Sequence, residues 1–577
     1  MNMLPPSFLR NLAPFVILLV LAVVPLWTTD DYALGVWTFI LLNILVVLGL
    51  DLLLGYAGQL SLGHGAFVAV GAFASALLTT RAGWSGWAAM PVAVVLAALL
   101  AAALAIPTLR LRGYYLAMAT LGFPVLFDAV IRVGSMWSGG ASGVTAIPRL
   151  SIGSAVLRDP KDYYWLVLGF VAPVLLVTWW IANSRLGLKL RAIHADETAA
   201  LSRGVPVVRL KVGIFVLSAS IAALSGCLYV HQVQFVAAGT FGLQYSLMLV
   251  VMLVAGGMGR IWGGVAGVVL LGWLSELLRG VTSWQPVLFG ALLAGLMLVS
   301  AGGVAGLFRR RPIFSPGPLA VRAPPLLLRP GVSGAGGEVL RVNGLLRRFG
   351  GVTAVSGLSL NLRAGEIRAI IGPNGAGKST ALALISGALR SEKGSVVLLG
   401  RECVSMTADR RTLGGLSRTF QHPRLIPSLT VFENICLGSS GGAKSLRDSL
   451  STARDVLDRL KLRTVAQRFP DEINHYQRRL TEIGVALASH PAVLLLDEPA
   501  AGLSTAEIDQ LAQLLRQLRD NGIAIILVDH VMDLVIPLAD QILVLEQGRP
   551  IASGDAHSVV NNDRVRSAYL GEAATYA

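Results

Sequence analysis

The sequence predicts a polytopic α-helical membrane domain of about ten spans followed by an α/β P-loop domain. Three observations carry that expectation. Apolar runs fill residues 12 to 307, charge density rises abruptly after Arg309, and Gly372-Pro-Asn-Gly-Ala-Gly-Lys-Ser-Thr380 fits G-x-x-x-x-G-K-[ST]. The expected boundaries are a membrane domain over 1–308, a linker over 309–337 and a nucleotide-binding domain over 338–577.

Composition points the same way. Of 577 residues, 54% are hydrophobic and 14% charged, far below the roughly 25% charged of soluble domains. The net charge of +15 lies in short loops between apolar segments, as positive-inside topology requires, and no groove-reading motif accompanies it. Nucleic acid is therefore not an expected partner, whereas membrane lipid is. Cys227, Cys403 and Cys436 are too few and too scattered for a disulfide framework or zinc site.

In chain order, the spans read roughly as 12–28, 33–54, 60–79, 87–106, 114–133, 163–182, 210–231, 243–259, 261–278 and 287–307. Arg10 before the first run imitates a secretory signal, yet no small-x-small cleavage site comes before Thr28; an uncleaved first span is expected. Alternating the spans from a cytoplasmic N-terminus places Arg110, Arg112, the basic loop 183–211, Arg260 and Arg309–Arg311 inside. Both termini are then cytoplasmic, where ATP is available. Gly55–Gly65 and Gly256–Gly259 are richer in glycine than plain spans need. They read either as broken helices lining a path or as close packing through small residues. Asp128 and Arg132 stand four apart and can neutralise each other on one helix face. Asp51 has no sequence-local partner, and His64 reads as a packing histidine or a pathway group. The loop carrying Arg191, Asp196 and Glu197 can form a short helix from about Leu188 to Leu201, a lever for a cytoplasmic ATPase. Residues 310–337, rich in proline and then glycine, compose a linker.

The second domain is organised by the P-loop, which comes after the apolar run Ile367–Ile371 and precedes a helical pattern. Gly372, Gly375 and Gly377 let the backbone curl so that N–H groups face phosphate oxygens, with Asn374 and Thr380 completing the cradle. Lys378 reaches the β- and γ-phosphates, and the Ser379 hydroxyl ligates Mg²⁺. Val493–Pro499 is a buried strand ending in two acids: Asp497 suits the Mg²⁺ shell, and Glu498 is placed to polarise the attacking water. Phe349 is a candidate adenine stacker, Gln421 a candidate contact to Mg²⁺ and water, and His530 a candidate γ-phosphate contact.

These motifs carry a resemblance. Residues 339–573 resemble the ATP-binding subunit of branched-chain amino-acid ABC transporters through Arg348-Phe-Gly-Gly351, Arg418-Thr-Phe-Gln421, Leu496–Gly502 and Ala568–Ala573. Residues 33–307 resemble the permease subunit through Gly55–His64, Leu109–Ala117, Thr120–Phe123 and Gly256–Gly259. The resemblance implies an ABC ATPase driving import of branched-chain amino acids or related small acids across a bacterial inner membrane. It gives Phe349, Gln421, Glu498 and His530 the adenine-stacking, Gln-loop, catalytic-base and switch roles, and the basic loop the coupling role. It also implies a second permease, a second ATPase and an extracytoplasmic binding protein. The chain departs from the family pattern in places: Ser504 stands where an acid usually ends the D-loop, Val531 where an aspartate commonly comes after His530, and the signature is altered. The signature, usually L-S-G-G-Q-like, falls on Ile473-Asn-His-Tyr-Gln477, so that Asn474, His475, Tyr476 and Gln477 stand where a serine, two glycines and a glutamine are usual. Two competing readings are a half-transporter exporting lipid or drug, against which the permease motifs argue, and a non-transport regulatory ATPase, favoured only by the altered signature.

Overall fold

The structure is a computed structural model. It describes residues 6–279 and 337–570, with short breaks at 29, 109–113, 154 and 444, and parts of 280–316. Arg110, Arg112, Arg309–Arg311, the linker apart from 312–316 and 337, and the tail from 571 onward lie outside the described residues. The chain divides into two compact units, Met1–His194 with Val208–Arg311, and Ala195–Val207 with Pro312–Ala577. The thirteen-residue segment 195–207, expected to belong with the membrane domain, thus packs within the nucleotide-binding unit.

The first unit is helical: α1 Pro6–Trp27, α2 Asp31–Leu50, α3 His64–Thr80, α4 Gly86–Thr108, α5 Tyr114–Val133, α6 Pro160–Ala182, α7 Arg185–Ala195, and then, after the 195–207 segment with its helix α8 Glu197–Ser202, α9 Val207–Val233, α10 Leu243–Gly256 and α11 Ile261–Leu277. Among the described residues, four helices are long and apolar enough to cross a membrane: Asp31–Tyr56, Gly86–Pro107, Pro160–Ala182 and Val207–Val233. The segments read as two spans over 243–259 and 261–278 form a pair bent by 119°. Close glycine packing sets that bend, since a Cβ on Gly256 would collide with the Gly263 carbonyl.

The two glycine-rich segments meet. After α2 the backbone winds into a π-helical turn, Asp51–Tyr56, and the buried Asp51 accepts the Gly259 N–H at 2.7 Å. Asp51 therefore ties the end of α2 to the α10–α11 turn, which gives this buried carboxylate a backbone donor in place of water. His64 is likewise held by packing partners: Nδ1 lies 3.0 Å from Ser61 Oγ and Nε2 2.6 Å from Ser218 Oγ.

The second unit is an α/β domain with two sheets. Its strands in chain order are β1 Glu338–Phe349, β2 Val352–Arg363, β3 Ile367–Ile371, β4 Lys393–Leu398, β5 Arg401–Glu402, β6 Leu416–Arg418, β7 Val493–Asp497, β8 Ala524–Val528, β9 Gln541–Glu546 and β10 Arg549–Gly554. They build a six-stranded sheet, β10-β9-β3-β8-β7-β6, and a four-stranded one, β2-β1-β4-β5. β3, β7, β8 and β9 are parallel neighbours made of nearly unbroken Val, Ile, Leu and Ala, as strands buried on both faces must be. Register fixes the site: Ile370 pairs with Val528 and Val528 with Asp497. Three adjacent strands thus end level, and the loops leaving their C-terminal ends gather at one edge of the sheet.

Candidate functional site

The segment after β3 is the P-loop. Its glycines are required by geometry: Gly372 and Gly377 have φ of +151° and +95°, and a Cβ would strike the Leu545 carbonyl at the first and the Ala354 carbonyl at the second. Helix α12, Lys378–Ser386, starts directly from the loop, so its N-terminal N–H groups face the same space. The Lys378 ammonium donates to the Gly372 and Pro373 carbonyls at 2.6 and 3.0 Å. Burial pulls its pKa below the ordinary lysine value, while Glu498 and Asp497 act to raise it. Asn374 and Ser379 are exposed and Thr380 half-buried, open to an arriving nucleotide.

The segment after β7 brings the acids. Asp497 is buried, and its Oδ2 accepts from Arg418 Nη2 at 2.9 Å. Its Oδ1 is buried and has no hydrogen-bond partner among the described residues. A buried, unpaired carboxylate oxygen suits a hard divalent cation, and the Ser379 hydroxyl and Gln421 carbonyl are further oxygen donors of the kind Mg²⁺ takes. Glu498 takes a left-handed backbone conformation, φ +47°, a strained arrangement that persists where the surroundings enforce it. The Val528 carbonyl anchors its N–H at 2.7 Å. Its Oε2 accepts from Gln421 Nε2 at 2.9 Å and lies 3.9 Å from His530 Nδ1. Glu498, Gln421 and His530, far apart in sequence, therefore converge on one carboxylate. Phe349, at the end of β1, is 46% exposed, with the Arg347 guanidinium 5.0 Å from its ring centroid.

Several contributors carry no motif that sequence reasoning could single out. Asp529 holds three backbone N–H groups, those of His530 (2.8 Å), Val531 (3.0 Å) and Ala500 (2.9 Å), and so fixes the segments after both β8 and β7. Its place directly after an apolar strand is the available signal. Arg479 and Glu482 are buried on α13, His475–Leu487. Arg479 donates to the carbonyls of Phe420 (2.9 Å) and Gln421 (2.8 Å), while Glu482 Oε1 accepts the Phe420 and Arg424 N–H groups at 3.1 and 3.3 Å. The helix behind the signature thereby clamps the loop that carries Gln421. Nothing in an Arg-x-x-Glu spacing marks this, because only the fold buries the pair. Burial pushes the Glu482 carboxyl up to about 7 against the pull of Arg479, the backbone donors and Arg203.

In the signature segment, Asn474 is the N-cap of α13: Oδ1 accepts the Gln477 N–H at 2.8 Å, and Gln477 Oε1 accepts the Asn474 N–H at 3.2 Å, a capping box. His475 Nε2 lies 3.1 Å from the Ala501 carbonyl, and Tyr476 is half-buried. The basic loop is not one helix over 188–201. It breaks at Asp196, whose Oδ1 caps α8 through the Thr198 and Ala199 N–H groups at 2.8 and 3.0 Å. Asp196 Oδ2 also meets Arg424 Nη1 at 2.7 Å, the buried Arg203 donates to the Arg424 carbonyl, and Thr412 Oγ1 donates to the Ser202 carbonyl at 3.0 Å. Asp196 and Glu197 belong to this second unit. Arg191 belongs to the first, 5.0 Å from the Tyr56 ring.

A P-loop domain with these acids, this glutamine and this histidine, joined to a helical membrane unit, is an ABC-type ATPase coupled to a permease. The family models and the curated relatives agree. Residues 32–301 match the family model described as branched-chain amino acid transport system / permease component, 355–501 that of the ABC transporter, and 549–575 that of the branched-chain amino acid ATP-binding cassette transporter. The high-affinity branched-chain amino acid transport ATP-binding protein LivG of Salmonella typhimurium is 37% identical over 251 residues, 41% of this chain and 98% of that protein. BraF of Pseudomonas aeruginosa is 34% identical over the same length. Ribose import ATP-binding protein RbsA 1 of Rubrobacter xylanophilus is 34% identical over 224 residues, 38% of this chain and 45% of its own. A solved nucleotide-free ATP-binding cassette of an ABC transporter is 29% identical and covers 41% of this chain and 99% of its own, with a TM-score of 0.38. The chain belongs to the branched-chain amino-acid ABC transporter family, with permease and ATP-binding domains in one polypeptide. It is a membrane-integral importer that couples ATP hydrolysis to transport.

Proposed function

We propose that the chain imports branched-chain amino acids, or closely related small amino or organic acids, across a bacterial cytoplasmic membrane, with both termini in the cytoplasm. The observation that carries the cargo class is that permease and ATP-binding halves each match models named for branched-chain amino acids. In this reading Gly372, Asn374, Gly375, Gly377, Lys378 and Thr380 cradle the phosphates and Phe349 stacks on adenine. Mg²⁺, held by Ser379, Gln421 and Asp497, supplies charge neutralisation on the phosphates. Glu498 orients the attacking water and accepts its proton, and His530 turns toward the γ-phosphate. The segment with Asp196 and Glu197 couples turnover to transport.

The family works as an assembly, so a second permease, a second ATPase and an extracytoplasmic binding protein are part of the proposal. The test is ATP-dependent uptake of labelled L-leucine, L-valine, ribose and urea into vesicles containing the assembled system. Accumulation of leucine and valine is expected. Accumulation of ribose or urea alone overturns the cargo class, and ATP-driven loss of a preloaded solute identifies an exporter.

A further inference from the structure

Residues 312–316, Pro-Ile-Phe-Ser-Pro, form neither helix nor strand, and their backbone groups need partners from elsewhere. Pro312 and Pro316 fix φ and bring no N–H of their own. The N–H groups of Ile313 and Phe314 both donate to Glu433 Oε1, the second at 2.8 Å. Glu433 lies in the first turn of the helix Val431–Ser439 and is fully buried. Its other oxygen, Oε2, accepts the Thr430 N–H at 2.9 Å and caps its own helix. A buried carboxylate needs donors in place of water, and here a segment more than a hundred residues upstream provides two of them. The segment's carbonyls are met as well. Arg454, on the helix Leu446–Arg459, donates through Nε to the Pro316 carbonyl, and the Gln467 amide donates to the Phe314 carbonyl at 3.5 Å. The Ile313 side chain is buried. None of these groups takes part in the ATPase chemistry described above.

We propose that Glu433, Arg454 and Gln467 form a docking surface for the start of the linker, and that this surface keeps the ATPase domain with the permease of its own chain. The occupant is residues 312–316, which come directly after Arg311, the last residue of the first unit. A glycine-rich tether fixes distance only loosely. Docking its first residues on the ATPase shortens the effective tether and raises the concentration of the ATPase at its own permease. The surface is built to hold a load. Asn434, beside Glu433 on the same helix, accepts the Ile426 N–H at 2.8 Å and donates to the carbonyls of Ile426, Leu429 and Thr430 at 3.2, 3.1 and 3.0 Å. The helix that seats the linker therefore also holds the loop leading from Gln421. The partner this surface fits is an extended segment that presents two successive N–H groups, and the proposal is independent of the cargo reading.

The experiment uses the full chain in lipid nanodiscs, with a site for a sequence-specific protease inserted between Gly334 and Ala335. Cutting there separates the halves and leaves 312–316 on the membrane half. The wild-type ATPase half should stay on the nanodisc after cutting and leave slowly. Phe314→Pro removes one donor to Glu433, and Arg454→Met removes the bond to the Pro316 carbonyl while leaving the Glu433 cap in place. Each should speed the loss of the ATPase half by about tenfold or more, the consequence of losing one charge-assisted hydrogen bond. In the uncut chain, hydrogen exchange at the Ile313 and Phe314 amides should be slow, and faster in Arg454→Met. Unchanged binding of an ATP analogue reports that both variants are folded. Equal rates of loss in the wild type and both variants overturn the proposal. So does a wild-type ATPase half that leaves at once on cutting, or exchange at Ile313 and Phe314 as fast as in an unstructured peptide.

Discussion

Glu498 is held by its backbone as much as by its side chain. Its φ of +47° and the bond to the Val528 carbonyl aim the carboxylate between Gln421 and His530. Removing its charge in Glu498→Gln preserves the P-loop and the Asp497 oxygens, so ATP affinity should persist while hydrolysis falls by roughly two orders of magnitude or more. Unchanged turnover in the assembled transporter would exclude Glu498 as the base. Glu482 offers a different test. Its carboxyl is raised to about 7, so between about pH 4.5 and 7 the folded state holds a proton that the unfolded chain has released. The stability this contributes is complete below the unfolded value and is lost as pH climbs through about 7, with a slope of at most about 1.4 kcal/mol per pH unit. Glu482→Gln, which keeps an acceptor for the Phe420 and Arg424 N–H groups, should flatten the decline in melting temperature between pH 5 and 7.5. An unaltered slope would show that Glu482 remains ionised against Arg479 and Arg203. At this scale the sequence is informative where chemistry has a motif, as at Lys378 or Glu498. It is silent where burial alone makes a residue important, as at Arg479, Glu482 and Arg203.

At the scale of elements, the segment 195–207 shows what a local pattern misses. The run from Leu188 to Leu201 reads as one helix because its apolar spacing continues through Asp196. The break there is a capping choice: an aspartate ahead of Glu-Thr-Ala-Ala-Leu-Ser satisfies two N–H groups that a continuous helix would bond to carbonyls. The signal is present but outweighed by periodicity. Asp196 also meets Arg424, with side chains 28% and 43% exposed, so the ion pair itself adds only about 0–1 kcal/mol. Its value is positional, since Arg424 lies in the loop clamped by Glu482. Asp196→Arg should therefore cost stability chiefly through the lost cap of α8, about 1 kcal/mol, and should also lower transport per ATP hydrolysed. Asp196→Arg with Arg424→Asp should recover part of that ratio. A ratio that stays at the wild-type value in the single variant reduces the segment to a topology anchor. The membrane helices show the same limit in another form. Hydropathy marks apolar length and averages over the glycines, so it reads 243–259 and 261–278 as two plain spans; the glycine-rich Gly256–Gly259, close against Gly263, is the local signal for the 119° bend between α10 and α11.

At the scale of the whole molecule, the altered signature bears on what the chain assembles with. An ABC ATPase cleaves ATP between two P-loop domains placed head to tail, each lending its signature to the other's nucleotide, so one chain supplies half of each site. Here the lent segment is Asn474-His-Tyr-Gln477. Asn474 Oδ1 is committed to the Gln477 N–H of its own helix, a cap worth about 1 kcal/mol, which leaves the amide nitrogen as its donor toward phosphate. Tyr476, where glycine is usual, restricts close backbone approach. The chain's own Lys378, Asp497 and Glu498 are complete. A homodimer would therefore place a poor cap over both nucleotides, whereas an unlike ATPase with a Ser-Gly-Gly signature would cap the ATP held by Lys378 and Glu498, leaving one efficient site. The purified full chain should accordingly turn ATP over slowly by itself and about tenfold faster or more when a partner ATPase is added. Glu498→Gln in this chain should abolish that rise. Tyr476→Gly should raise the activity of the chain alone, because it restores the approach a homodimer lacks. Vigorous turnover by the wild-type chain alone, lost on Glu498→Gln, would establish that the Asn-His-Tyr segment caps phosphate adequately and that no unlike partner is required.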